Sequence, residues 1–245
     1  MHAMPTGTMR NQGKALIVAV PAAIALCFFY GFAFSYLGSD PGRFGIYLPR
    51  RQWLTIHILA GGVALLLGPV QFWLAMIRRT AVLHRVLGLS YVTAVFISGS
   101  AAFYLARHTD FGWVFGVGFS AMACAWLIST TFATIAILRG MTQQHLEWMI
   151  RSYVVTFGFV TFRALVMILE AARVGKLVER MTAASWLAWS VPLLITESIL
   201  QGRKVFARPS VATGATAPDA SAYSTSPDQA AFGLQNSGST YLHRP

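Results

Sequence analysis

The chain has 245 residues, 56% of them hydrophobic and 11% charged, against about 25% charged in an ordinary soluble domain. Its apolar residues come in runs near or above the roughly twenty that span a bilayer core, which excludes a soluble fold. The net charge of +11 would suit nucleic acid, but the basic residues lie mostly in short segments beside the apolar runs, where they set membrane orientation, and no nucleic-acid motif is present.

Residues 1–14 form a short polar lead with Arg10 and Lys14. A first span is predicted over residues 15–37, with Pro21 as a candidate kink. It is longer than the roughly 7–15-residue apolar core of a signal peptide, and no small-residue cleavage site follows it. A polar loop leads to a second span over 53–77, which carries His57, Gly61, Gly62, Gly68 and Pro69. The basic turn RRTAVLHR precedes a third span over 86–106, and RHTD turns the chain into a fourth over 111–138. The donor-rich stretch QQHLEWMIRSY, residues 143–153, opens a fifth span over 148–172. A charged loop with Arg173, Lys176, Glu179 and Arg180 leads to a sixth over 184–200.

From Lys204 onward the sequence turns to Ala, Ser, Thr, Pro and Gly. Such a composition buries too little surface to offset its ordering entropy. The expected organisation is therefore all-α. A polar lead (1–14) precedes a polytopic bundle of about six spans (15–203), and a disordered polar tail follows (204–245). Lys and Arg number eleven on the side of the N-terminus and seven on the other, with Arg163 inside a span. The excess predicts both termini in the cytoplasm of a bacterial inner membrane. Cys27 and Cys124 fall inside apolar runs and are read as small buried hydrophobes, not as a disulfide or zinc pattern.

The histidines divide by depth. His84 and His145 stand where the third and fifth spans begin, on one side of the membrane; His57 and His108 lie toward the other. His84 and His108 are 24 residues apart, about 36 Å of helix, so they cannot share a ligand. Two facing imidazoles between membrane helices can hold a six-coordinate haem b, since neutral imidazole suits iron. Gly61 and Gly88 each follow a histidine by four residues, on the same helix face, where a missing side chain would admit a flat ring; glycine also serves simple close helix packing. His108, flanked by Arg107 and Asp110, reads as a cap.

Arg163 lies near the middle of the fifth span, where a charge costs at least ~2.5–3.5 kcal/mol. It needs a partner, with Glu170 and Glu197 as candidates, or a substrate, quinone or propionate to bind. Arg85 and Arg151, beside His84 and His145, are candidate propionate partners, with membrane anchoring the simpler role for Arg85. Trp53 and Trp148 suit an interfacial aromatic belt, and Glu147 is expected in solvent.

HILAGGVALLLGPVQFWLAMIRR (57–79), HRVLGLSYV (84–92) and HLEWMIRSYVVTFGFVTFR (145–163) together resemble a bacterial family of predicted membrane proteins, the domain of unknown function 2306, over roughly residues 50–170. The resemblance implies a helical membrane bundle and picks out His57, Gly68, Pro69, Gln71, Phe72, His84, Arg85, Gly88, His145, Trp148, Met149, Arg151 and Arg163. More distantly, the plan is similar to the transmembrane dihaem cytochromes b, which use histidines on four successive helices and pair the first with the third and the second with the fourth. Here the fourth span has no histidine, so only the pair His84 and His145 is complete.

Two functions follow as expectations. One is a membrane redox protein holding haem b at His84 and His145 and passing electrons to quinone or to a partner protein. The other is a cofactor-free transporter-like or accessory protein in which the histidines and Arg163 form a polar pathway or an interhelical lock. The absence of inverted repeats weakens the transporter version. A membrane hydrolase would need a nucleophile elbow or an HExxH motif, and neither is present.

Overall fold

Backbone N–H and C=O groups in hydrocarbon find no water, so a spanning segment must close its own hydrogen bonds. The computed structural model meets this requirement with helices. It describes residues 6–37, 42, 44–77 and 81–206. The chain runs α1 (Thr6–Phe28), α2 (Arg51–Ile77), α3 (Ala81–Arg107), α4 (Trp113–Leu138), α5 (Thr142–Ala171) and α6 (Leu177–Phe206). A π-helical turn, Phe29–Ala33, and a 3-10 turn, Phe34–Leu37, extend α1, and a 3-10 turn, Gly45–Arg50, feeds α2. Five helices are long and apolar enough to cross a membrane: Gly45–Ile77, Ala81–Arg107, Trp113–Leu138, Thr142–Ala171 and Leu177–Phe206. The first carries only the shorter apolar helix Val18–Ala33.

The helices outrun the predicted spans. α1 begins at Thr6, inside the predicted polar lead, and α6 runs from Leu177 to Phe206 instead of 184–200. Apolarity marks the stretch that sits in hydrocarbon, whereas helix ends follow propensity and capping, and Leu, Glu, Arg and Met are good helix formers. For the same reason α5 starts at Thr142, so His145 and Glu147 lie within its first turns rather than ahead of it. The predicted disordered tail, apart from residues 204–206 of α6, lies outside the described residues, as do His2, His243 and residues 78–80.

Helices α2, α3, α4 and α5 form a ring in chain order, closed by contact between α5 and α2; α6 packs on α4 and α5, and α1 on α2. Short connections make ring neighbours antiparallel. Helices α3 and α5 therefore face each other across the diagonal and run in the same direction. The interior is small and hydroxylic, with Ser98, Thr130, Ser152, Thr156 and Ser185 all fully buried, while Leu89, Ile97, Ile128, Phe132, Leu194 and Ile195 point outward. Large aliphatic side chains outside and small polar ones inside are the pattern of helices that pack in lipid. Cys27 and Cys124 are exposed on the outside of the bundle, not buried as expected. An apolar run shows only that a residue tolerates lipid; packing decides which face it takes.

Glycine lets α2 approach its neighbours. A Cβ at Gly68 would overlap the Tyr153 ring of α5, whose hydroxyl donates to Leu65 O at 3.2 Å. Gly31, in the π-helical turn, has no neighbour within 4 Å of such an atom. Gly68→Val is therefore expected to destabilise the detergent-solubilised protein by about 1–3 kcal/mol through overpacking, while Gly31→Ala leaves the melting temperature unchanged. Equal melting temperatures for the two variants would refute this account of the α2–α5 contact.

Candidate functional site

Seven residues are close to two helical turns, with a drift of about 20°. Steps of seven along α3 lead from His84 to Tyr91 to Ser98, and along α5 from His145 to Ser152 to Phe159. Because α3 and α5 run in the same direction, these residues meet in three layers across the diagonal.

In the middle layer the Tyr91 hydroxyl bridges to Ser152 Oγ at 2.8 Å and to Thr156 Oγ1 at 2.9 Å. Thr130 of α4 joins Ser152 at 2.7 Å, and the Trp126 indole donates to Thr156 Oγ1 at 2.8 Å. Thr130 also donates to Trp126 O, and Thr156 to Ser152 O. Thr130, Ser152, Tyr91 and Thr156 supply four hydroxyl protons for five contacts, so one contact at a time is without a proton. The network can reverse direction along its length.

In the next layer Ser98 Oγ donates to His57 O at 3.0 Å, which leaves the His57 Nδ1–H to donate to Ser98 O at 3.0 Å and to Ser98 Oγ at 2.9 Å. Phe159 meets the His57 ring edge-on at 4.8 Å. Gly61 packs against this pair, its missing Cβ lying 3.0 Å from Ser98 Oγ, so Ser98 fills the space expected for a flat ring. His108 donates to Tyr104 O at 2.8 Å as a cap, and Tyr104 stacks on Trp53 at 4.5 Å.

In the remaining layer His84 and His145 come within electrostatic reach of each other. His145 Nδ1 donates to Ala133 O of α4 at 2.9 Å, which fixes the ring and leaves Nε2 with its lone pair. His84 Nδ1 is buried without a hydrogen-bond partner. The backbone beside it is tied to α2 by Gln71, whose amide donates to His84 O at 3.1 Å and which faces Gly88. Gln71 is 5% exposed in an apolar helix. Among the described residues no group of three or more His, Cys, Asp or Glu could hold a metal ion; His84 and His145 come together as a pair. A lipid-facing groove of about 530 Å³ between α2 and α3, walled by Leu59, Val63, Leu89 and Ile97, includes none of the histidines.

The charged residues depart from the sequence reading. Glu147 is 8% exposed, not solvated, and receives Lys204 Nζ at 2.6 Å. Arg151 gives Nε and Nη2 to one oxygen of Glu197 at 2.7 and 2.6 Å, reaches Glu147 at 3.9 Å, and lies 4.7 Å over Trp148. Trp148 in turn stacks on Phe132 at 4.9 Å. Arg151 is thus committed to α6 and is not free for a propionate. Glu197, a predicted partner of Arg163, is taken. Arg163 itself lies 18 residues beyond His145 in one continuous helix, about 27 Å along its axis, and cannot serve a group bound at His145. Arg85 is exposed at the start of α3. The sequence carried a signal for this lock, since Glu147 and Arg151 are spaced i,i+4 on one helix face, but nothing in it pointed to α6.

The family described as a predicted membrane protein, DUF2306, matches residues 54–200. The chain belongs to this family. The match runs beyond residue 170, the limit of the motifs in the sequence, and takes in most of α6 with Glu197. No curated protein and no solved structure matches the chain.

Two tests follow. Arg151→Ala removes the guanidinium shared by Glu147 and Glu197 and is expected to cost about 1–3 kcal/mol, since Glu147 keeps Lys204 and Glu197 is 41% exposed, read as a drop in melting temperature that exceeds that of Lys204→Ala; equal drops would count against the lock. Tyr91→Phe leaves three hydroxyl protons for three contacts and is expected to cost under about 1 kcal/mol, against about 3–5 kcal/mol for Tyr91→Ala. A large loss on Tyr91→Phe would contradict the proton count.

Proposed function

We propose that this multi-pass membrane protein binds one haem b between His84 and His145. The observation that supports the reading is a pair of imidazoles at one level of the α3–α5 diagonal. One is oriented by a backbone carbonyl with Nε2 open, and the other has a buried Nδ1 without a hydrogen-bond partner, on a ring that the Gln71 backbone approaches. A buried polar atom without a partner calls for a specific explanation, and ligation through Nδ1 itself would supply one, whereas ligation through Nε2 would leave Nδ1–H unmet.

When bound, the haem would supply one-electron exchange at a potential set by its axial ligands and surroundings. The chain's own residues would do the rest. Ala133 O holds the His145 ring in one tautomer with Nε2 free of a proton. Gln71 fixes the first turn of α3 and with it His84. His57 takes no part, because Phe159, not an imidazole, occupies the corresponding level of α5 and meets the His57 ring edge-on. The excess of Lys and Arg on the side of the N-terminus supports both termini in the cytoplasm of a bacterial inner membrane. The His84/His145 site would then lie toward the cytoplasm, where a quinone or a partner protein would exchange electrons with it.

A second reading is cofactor-free. It draws on the fact that His57 and His145 both donate to backbone carbonyls across helices, as structural locks would. One experiment separates the two: oxidised and dithionite-reduced spectra of the detergent-purified protein from haem-replete cells, with haem quantified per chain. The expected result is a sharp reduced α-band at about one haem per chain, lost in His84→Ala and in His145→Ala and retained in His57→Ala. A folded, colourless wild-type protein would leave the cofactor-free reading.

A further inference from the structure

Helix α1 is held to the ring differently from the other helices. The family match, residues 54–200, covers nearly all of α2–α6 and leaves α1 outside. The apolar stretch of this first helix, Val18–Ala33, is shorter than a membrane span, about 24 Å of rise against a hydrocarbon core of about 30 Å. Ala25 is its one buried side chain among the described residues, whereas Val20, Ile24, Leu26 and Tyr30 are exposed.

Aromatic rings seat it. In the π-helical turn Phe29–Ala33, Phe29 places its ring where a Cβ at Gly62 of α2 would stand, and Phe32 lies 5.4 Å over the guanidinium of Arg163 of α5. One turn thus touches two helices. Those helices meet each other through rings as well: Tyr153 packs against Gly68 and Phe72, and Phe159 against His57. Helix α1 therefore lies over the seam at which the ring of α2–α5 closes. In lipid, apolar burial gives little drive to helix association, and close packing of this kind supplies the contact. A seat made of one ring in one glycine notch can be left and regained. A π-helical turn is itself a rare local widening of a helix, found often at functional sites.

We propose that α1 is a lid over the α2–α5 seam, latched by Phe29 in the Gly62 notch and steadied by Phe32 on Arg163, and that it swings aside to open the ring laterally to the bilayer. The half-buried His57 and Arg163 lie along the covered edge, so the position of the lid sets whether they face aromatic rings or lipid. The lid is independent of haem binding at His84 and His145.

Cys27 on α1 and Cys124 on α4 are the two cysteines of the chain, and both are exposed. Spin labels on this native pair, in the full-length protein in nanodiscs, report the lid against the ring by double electron–electron resonance. The wild type is expected to show one dominant distance. Gly62→Val, which fills the notch, and Phe29→Ala, which removes the latch, are expected to move a several-fold larger share of the molecules to a second, equally well-defined distance. Tyr30→Ala removes a neighbouring ring that is 81% exposed and is expected to keep the wild-type distribution. Should Gly62→Val fail to fold, Phe29→Ala carries the test, since it alters the lid alone. A distribution unchanged in Phe29→Ala, one that only broadens without a second distance, or an equal shift in Tyr30→Ala overturns the proposal.

Discussion

The ring of helices converges on one side chain, Tyr91 of α3, fully buried at the centre of the core with its hydroxyl against Ser152 and Thr156 of α5. Without water in the bilayer, apolar burial between helices drives little association, and packing and hydrogen bonds hold helices together. Tyr91 is long enough to cross the diagonal that α3 and α5 leave open, and Trp126 and Thr130 bring α4 to the same point. With that level fixed, a seven-residue step in either direction fixes the others. His84 lies within electrostatic reach of His145 on one side, and His57, paired with Ser98, meets Phe159 on the other. The depth of each histidine follows from the register at which Tyr91 packs against α5.

Charge is handled differently at the two ends. Where α5 begins, Glu147, Arg151, Glu197 and Lys204 balance two negative charges with two positive ones and fasten α6 to the ring. Breaking such a pair strands a buried charge, which is why removing one partner costs more than the pair contributes. At the other end Arg50 and Asp110 satisfy each other and Arg163 is left to an aromatic face.

Some of the site was legible in the residue order. The heptad steps from His84 to Ser98 and from His145 to Phe159 are in the sequence, and equal depth for His84 and His145 follows once the spans alternate in direction. The partners were not legible. Glu197 lies 46 positions from Arg151 and nearer in sequence to Arg163; only the packing of α6 on α5 chose between them. Gly61 reads in sequence as space beside a histidine, but Ser98 arrives from α3 to fill it. Glu147 reads as solvated because charged residues at helix starts usually are, until Lys204 closes over it.

By itself the sequence determined a helical membrane protein, the positions of its apolar helices and the family to which the chain belongs. These follow from local properties: an apolar run of sufficient length must form a helix in lipid, and ordered motifs can be read along one chain. Which faces turn inward, which charges pair and which polar atoms go without a partner were decided only by the tertiary structure. Each of those depends on where a second helix stands, and in lipid inside and outside are equally apolar. Hydropathy therefore marks the helix and leaves the face to packing.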